Sequence, residues 1–386
     1  MPESPSNNHN KQRIALSVDS LTCGGAEKIT VILANALVQR GYEVDLLLRW
    51  IDGPFLSELA PEIRLLSPGE REKSAFRTVK FLVDYIRTNK PLVILPQMEK
   101  PSLLALLAGA ITGYKNIVPC VHTDLTTYAR LEHRTRRTLL KYLVAVFYRL
   151  AIRVVAVSSG TAHSISSLIG RQSPPVDVVF NGFDVEAMRQ KAHEDPGIPW
   201  LQEKTAPVVI SCGRLVEQKG YDTLLRAFAI LRQTMMARLI ILGDGPLRTS
   251  LEELAQNLKI TQDVVMPGYH PNPVACFKHS DVFVLTSKVE GLSNVLIEAL
   301  IANVPIVSTD CPTGPREVLK NGRFGGLVPV GDAGALAEAL CTVLRATQTA
   351  TPVDPEYNVH IRNFSVETMV DGYIRAINAA SGKGIV

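Results

Sequence analysis

Short apolar, β-branched runs alternate along the chain with longer stretches in which apolar residues return every three or four positions. That alternation predicts α/β units around parallel sheets. In the first half the runs are RIALSV (13–18), EVDLLL (43–48), LVILP (92–96), NIVPCV (116–121), RVVAV (153–157) and VDVVF (176–180). Helical patterns fall between them at 25–40, 74–89, 101–111, 134–150 and 160–169. The alternation restarts with PVVISC (207–212), RLIIL (238–242), DVVM (263–266), DVFVL (281–285), PIVS (305–308) and GGLVPV (325–330). Its helices are expected near 220–233, 246–258, 293–303 and 332–346.

Two cycles of one pattern predict two domains, 13–183 and 207–363, after a flexible polar tail at 1–12. Between them, residues 184–206 read as a linker in which Pro196, Gly197 and Pro199 break any element. The last amphipathic stretch, FSVETMVDGYIRAI (364–377), follows the Pro-containing segment 350–355 and is expected to cross back to the first domain as a helix within 364–386.

Composition narrows the class. With 386 residues, 46% hydrophobic and 20% charged, the chain is globular and long enough for two cores. The net charge of +4 is too small for a protein built mainly to bind nucleic acid. Residues 1–190 hold 23 Lys and Arg against 17 Asp and Glu, a balance of +6, which leaves 18 against 20, or −2, for the rest. A basic first half and a mean hydropathy of +0.12 suit the cytoplasmic face of a membrane. Six cysteines with no C-x-x-C pair read as reduced thiols of a cytoplasmic protein, with neither a disulfide framework nor a zinc site. The run Ile14–Val18 is too short for a signal peptide, and Lys141, Arg149 and Arg153 interrupt the apolar stretch 138–157, so no transmembrane segment is expected.

The strongest chemical signal is Glu290 to Glu298, two acids eight residues apart. Glu298 lies within Val295, Leu296, Ile297, Ala299 and Leu300, and a buried carboxylate needs partners such as the hydroxyls of a sugar or ribose. The helix start at Ser293 and Asn294 offers free backbone amides to an anion, while ordinary Ser or Asn capping fits the same residues. After the strand ending at Cys212 come Gly213, Arg214, Lys219 and Gly220, two cations at a carboxyl edge where open α/β sheets bind ligands. They would neutralise a diphosphate and stabilise it as it leaves. The loop is not a Walker A motif.

In the first half, Gly24 and Gly25 stand between a strand and a helix, where backbone can approach an anion, but without the G-x-G-x-x-G pattern of a nicotinamide dinucleotide site. His122 ends another strand on the same edge and is placed to bond a sugar hydroxyl or polarise a reacting group. The chain has neither D-x-D nor H-E-x-x-H, so no metal site is expected. Arg130, His133, Arg134, Arg136, Arg137, Lys141, Arg149 and Arg153 surround the apolar run 139–152. This basic amphipathic segment suits a membrane surface, with Arg134, Arg136, Arg137 and Lys141 facing it; a core helix with a charged outer face is the alternative.

Taken together, the segments resemble glycosyltransferase family 4, retaining sugar-nucleotide transferases of the GT-B fold. The matching residues are GGAE (24–27), HTD (122–124), AVSSG (156–160), FNGFD (180–184), GRLVEQKG (213–220), LGDGP (242–246), EGLSNVLIEAL (290–300) and DCPTGPREVL (310–319). The resemblance implies two Rossmann-like α/β domains across a cleft, the second holding the donor. It implies that Arg214 and Lys219, beside Gly213, grip the diphosphate, that Glu298 binds ribose, and that Glu290 contacts the donor sugar near the backbone of Ser293, Asn294 and Val295. Gly24 and Gly25 would face the phosphates, His122 the transferred sugar, and Tyr269 with its neighbours the base.

Retention without a metal or other cofactor is also implied. The expected donor is a UDP-hexose or UDP-N-acetylhexosamine, and the expected acceptor a lipid-linked or growing saccharide at the inner face of the cell membrane, as in polysaccharide or lipopolysaccharide assembly. Transfer to a soluble acceptor, sugar-nucleotide epimerisation on a similar scaffold, and a non-catalytic membrane scaffold are the alternatives.

Overall fold

The computed structural model describes residues 12–22, 24–69, 74–124, 134–346 and 354–382, with side chains from 138 in the fourth segment. Residues 1–11 of the expected tail, Cys23, Arg130 and His133 lie outside the described residues, as do the side chains of Arg134, Arg136 and Arg137.

In the N-terminal half, β1 (Arg13–Val18), β2 (Glu43–Leu48), β3 (Arg64–Leu66) and β4 (Val93–Pro96) form a parallel sheet in the order β3-β2-β1-β4. Strands β5 (Cys120–Val121), β6 (Val154–Ala156) and β7 (Val176–Val178) extend it, joined to β4 through bridges at Ile94–Ile117 and Gln97–Cys120. The strand expected over 116–121 is therefore broken. Pro119 has no amide hydrogen to give the ladder, and only the two residues after it form a strand. Helices α1 (Gly25–Gln39), α2 (Ala75–Asn89), α3 (Glu99–Thr112), α4 (Arg134–Phe147) and α5 (Ser159–Ile169) connect these strands.

The segment 184–206 is not free of elements. Asp184 caps α6 (Val185–Lys191) by accepting from the Ala187 amide, and Pro199, whose missing N–H costs nothing in a first turn, opens the short α7 (Pro199–Gln202). Beyond it lie β8 (Val208–Cys212), α8 (Tyr221–Arg232), β9 (Arg238–Leu242), α9 (Arg248–Asn257), β10 (Val264–Gly268), α10 (Pro273–Lys278) and β11 (Val282–Leu285). They continue with α11 (Asn294–Ile301), β12 (Ile306–Thr309), α12 (Pro315–Val318), β13 (Gly326–Val328) and α13 (Ala333–Ala346). The second sheet is parallel, in the order β10-β9-β8-β11-β12-β13. Each sheet thus runs third, second, first, fourth, fifth, sixth strand, with a seventh added in the first sheet, the doubly wound order whose switch point lies between first and fourth. Central strands such as β8 are buried throughout except at their ends, which explains runs that are apolar rather than alternating.

Two last helices, α14 (Pro355–Arg362) and α15 (Val366–Ser381), follow. The crossing of the tail is visible in its contacts. Phe183 donates its amide to the Phe364 carbonyl and accepts from Val366, Arg40 at the end of α1 pairs with Asp371 at 2.7 Å, and α15 packs on α1. One buried apolar cluster runs from β1 and α1 through Phe183, Ile198 and Leu201 to α11, Phe364 and Tyr373, so the connection between the halves is packed core.

Candidate functional site

The carboxyl ends of both sheets face each other. From the C-terminal half come the loops after β8, β11 and β12. The N-terminal half contributes those after β1, β4, β5 and β6.

The loops after β8 and β11 are tied together by backbone. Lys288 donates its amide to the Gln218 carbonyl, the Gln218 side chain donates to Val289 at 2.8 Å, and Thr286 Oγ1 donates to the Lys219 carbonyl at 2.8 Å. This frame brings two expected residues into contact. Lys219 Nζ lies 2.6 Å from Glu290 Oε1, and Ser287 Oγ donates to the same oxygen at 2.6 Å. Glu290 is buried, so the pair is held by charge, by a hydroxyl and by exclusion of water. Both bonds fall on Oε1; Oε2 makes none to the described residues. Arg214 is exposed and acts across the cleft on Glu27 of α1, whose carboxyl pKa is raised by burial and by Asp19, and lowered by its own amide and by Arg214.

Helix α11 is apolar nearly all round and mostly buried, with Asn294 at its start meeting Gly25 of the other wall. Ser293, at its cap, has a left-handed backbone (φ 70°) and does not cap with its side chain, contrary to the ordinary capping reading. Its Oγ is buried without a hydrogen-bond partner among the described residues. The amides of Asn294 and Val295 lack intrahelical acceptors, as first-turn amides do. Glu298, one turn on, makes no hydrogen bond to the described residues, and burial, partly opposed by Lys28, pushes its pKa up to about 7. Tyr269 is 75% exposed at the end of β10, beside Gly268.

Opposite, Gly24 caps α1 in an extended conformation, and the flexible Glu27 carboxylate folds back to within 1.9 Å of where a Cβ on Gly24 would stand, so a side chain there would have to push that carboxylate aside. Gly25 meets Asn294, whose Nδ2 donates to the Gly25 carbonyl at 3.1 Å while its Oδ1 accepts from Asn181 at 2.6 Å. The Asn294 side chain thus joins the halves. His122 Nε2 lies 2.7 Å from Gln97 Oε1, and burial lowers its pKa to about 4.

Three residues in the matched segments, to which the sequence assigned no role, close the cleft. Ser158 Oγ donates to the Gly291 carbonyl at 2.8 Å, and the Glu317 carboxylate accepts from the Ser159 and Gly160 amides at 2.8 and 3.0 Å, capping α5 from the other domain. Gly291 itself runs against β5: a Cβ there would lie 1.9 Å from the His122 carbonyl oxygen. Gln97 was also missed, since it stands between an apolar run and a helix with no motif around it.

The basic segment divides. Arg149 donates to the Ile169 carbonyl at 3.1 Å and Arg153 pairs with Asp177 at 2.7 Å, so these two serve the fold rather than a surface. Lys141 is partly buried and has a partner. Along α4 and the turn after it, Leu139, Tyr142 (66% exposed), Val146 and Leu150 lie exposed on one face, with Leu107 and Ile111 exposed on neighbouring α3. The outer face of α4 is thus apolar in part, which departs from a core helix with a charged outer face. Among the described residues no helix is long and apolar enough to cross a membrane.

Residues 23–187 match the family described as Glycosyltransferase Family 4 and residues 198–355 that described as Glycosyl transferases group 1. The chain is 28% identical over 342 residues to a Campylobacter jejuni 4-alpha-N-acetylgalactosaminyltransferase named for a diphospho-undecaprenol-linked substrate, covering 86% of this chain and 90% of that one. It is 28% identical to a Rhizobium meliloti lipopolysaccharide core biosynthesis glycosyltransferase, over 92% and 96% of the two chains. Among solved structures, Anabaena HepE in complex with UDP and glucose superposes with a TM-score of 0.79 at 21% identity, covering 95% of this chain and 100% of that one. With two doubly wound domains facing across a cleft and both halves matched, the chain belongs to glycosyltransferase family 4 and has the GT-B fold.

Proposed function

We propose that this glycosyltransferase moves a hexose or N-acetylhexosamine, with retention and without a metal, from a UDP-sugar to a lipid-linked or growing saccharide in bacterial surface glycan assembly. The observation that carries the reading is the convergence of Lys219, Glu290, Glu298 and the α11 amides on one wall of the cleft. A UDP complex of a structural neighbour and the lipid-linked substrate named for the Campylobacter relative support the choice of donor and acceptor.

In this reading Arg214, Lys219 and the α11 amides hold the diphosphate. Breaking the sugar–phosphate bond builds negative charge on the departing oxygen, and two cations with fixed amide dipoles stabilise it where a metal otherwise would. Glu290 Oε1 orients Lys219, leaving Oε2 for a donor-sugar hydroxyl. Glu298 accepts from the ribose. The acceptor oxygen attacks from the leaving-group face, forming the new glycosidic bond as the old one breaks, and its proton passes to the leaving phosphate. The contacts of Asn294, Ser158 and Glu317 across the cleft exclude water and so suppress hydrolysis.

The exposed apolar face of α4 and α3 favours a membrane-associated acceptor over a soluble one. The basic sequence of the same helix, Arg134, Arg136, Arg137 and Lys141, adds attraction to the anionic inner face of a membrane.

The test is incubation of pure protein with a panel of sugar nucleotides and a polyprenyl-diphosphate-linked saccharide. A longer lipid product with the anomeric configuration of the donor, formed in the presence of a chelator, is expected. Epimerised sugar nucleotide with no lipid product would overturn the reading.

A further inference from the structure

Behind His122 stands a fully buried amide. Gln97 follows β4, and its backbone amide donates to the Ser17 carbonyl at 2.7 Å, locking it between β1 and β5. Met98, next in the chain, has φ 68° and ψ 174°, a conformation otherwise almost confined to glycine. Its amide donates to the Cys120 carbonyl at 2.9 Å. A strained backbone at a strand end, stitched to both neighbouring strands, fixes where the Gln97 side chain points.

The chemistry of that side chain then selects a form of the ring. Gln97 Nε2 donates to the Leu95 carbonyl at 3.1 Å, and an amide nitrogen cannot accept, so the orientation of the amide is set. Its Oε1 must therefore be the atom facing His122 Nε2 at 2.7 Å. An oxygen acceptor can be met only by a ring N–H. The proton sits on Nε2, and in a neutral imidazole Nδ1 carries the lone pair. Nδ1 makes no hydrogen bond to the described residues, and His122 is partly exposed although Gln97, against its Nε2, is fully buried.

We propose that Gln97 is a positioning residue, holding His122 in its Nε2–H tautomer so that Nδ1 faces the cleft as an acceptor for a sugar hydroxyl. This rests on the reading of the cleft as a sugar-nucleotide site. The groups around the pair agree with a neutral ring. Cys120 of β5, its thiol pushed up to about 12 by burial, and Tyr373 of α15, raised likewise, carry no charge at neutral pH. Across the cleft stands the Gly291 backbone, and the Glu290 before it is paired with Lys219. A carboxylate in place of Gln97 would instead stabilise the imidazolium, whose two nitrogens are both donors, and Nδ1 would no longer accept.

The experiment is nitrogen NMR of the full protein with 15N-labelled histidine, recorded for wild type, Gln97→Glu, Gln97→Asn and Gln97→Leu, together with pH profiles of kcat and KM. Wild-type His122 is expected as the Nε2–H tautomer, neutral down to about pH 5. Gln97→Glu, close in shape, is expected to bring the ring pKa back to about 6.5 or above. Its kcat at pH 6 is expected to fall about tenfold, with partial recovery at pH 8 as the ring loses its proton. Gln97→Leu is expected to show mixed tautomers and a lowered kcat with little change in donor KM. An Nδ1–H tautomer in wild type, or an unchanged ring pKa in Gln97→Glu, would overturn the assignment, and the wild-type spectrum decides even if the leucine variant does not fold. His122→Ala separates the two ideas: full activity there removes the sugar contact and with it the positioning role of Gln97, while the reading of the cleft, which rests on Lys219, Glu290 and Glu298, stands.

Discussion

The two walls of the cleft are built on the same strand order but by different chemistry. The C-terminal wall is charged and committed: Lys219 and Glu290 are locked together, and Glu298 is an acid in an apolar helix with no partner of its own. The N-terminal wall offers glycines at the start of α1 and a neutral histidine backed by an amide. A wall of fixed charges suits a ligand with a constant diphosphate and ribose. Short, neutral groups of this kind suit hydroxyls whose pattern changes from one acceptor to another. In the proposed reading, the diphosphate, the ribose and part of the donor sugar are therefore held by the C-terminal wall, and the N-terminal wall is left to meet the acceptor.

Four perturbations would break or sharpen that contrast, the first with the largest effect. Lys219→Ala and Glu290→Ala should each lower kcat/KM by on the order of 10²–10³-fold, since each removes stabilisation of the departing phosphate or the partner that aims it. Lys219→Ala also leaves a buried carboxylate unpaired, which costs about 3–5 kcal/mol of stability when a pair is broken from one side. Chemical denaturation should show that loss, and Lys219→Met combined with Glu290→Gln should recover part of it without recovering activity.

Glu298→Gln comes next, with nucleotide affinity reduced roughly 10-fold to 100-fold, as for a lost hydrogen bond to a charged group. The carboxyl of free Glu298 titrates near pH 7, and hydroxyl donors from a ribose favour its ionised form, so nucleotide binding should release protons between about pH 6 and 7. Calorimetry in buffers of different ionisation enthalpy would read this release, and Glu298→Gln should abolish it. The sign for stability follows. The raised pKa disfavours the folded state where the group is ionised, so the penalty is absent below the ordinary carboxylate range and full above about pH 7. The glutamine variant should therefore melt higher than wild type at pH 8 and equally at pH 4.

Glu317→Ala is a smaller change. It removes the cap on α5 across the cleft, worth about 1 kcal/mol, and should lower kcat several-fold while leaving nucleotide affinity nearly unchanged. Small-angle scattering should show a larger average radius if the contact holds the halves together. The smallest effect is expected at Leu139→Ser with Tyr142→Ser, where turnover on a water-soluble acceptor analogue stays the same and flotation with anionic liposomes falls.

The sequence made the repeated α/β cycle legible because parallel strands covered on both faces leave continuous apolar runs such as Val208–Cys212. It made Arg214, Lys219, Glu290 and Glu298 legible because charges at a strand end or within an apolar helix need a reason. The short helices α6 and α10 were not visible, since six or seven residues leave too little periodicity, and β3 carries only three residues, one of them arginine. Gln97, Asn181 and Glu317 escaped for another reason. Their roles lie in partners 25, 113 and 158 positions away, and a polar residue after a strand says nothing by itself about which distant atom it meets.

The most direct measurement is the structure of the protein with UDP bound. The diphosphate should lie between Lys219, Arg214 and the N-terminus of α11, with the ribose on Glu298. A nucleotide seated on the N-terminal wall, or outside the cleft altogether, would contradict the division of labour between the two domains.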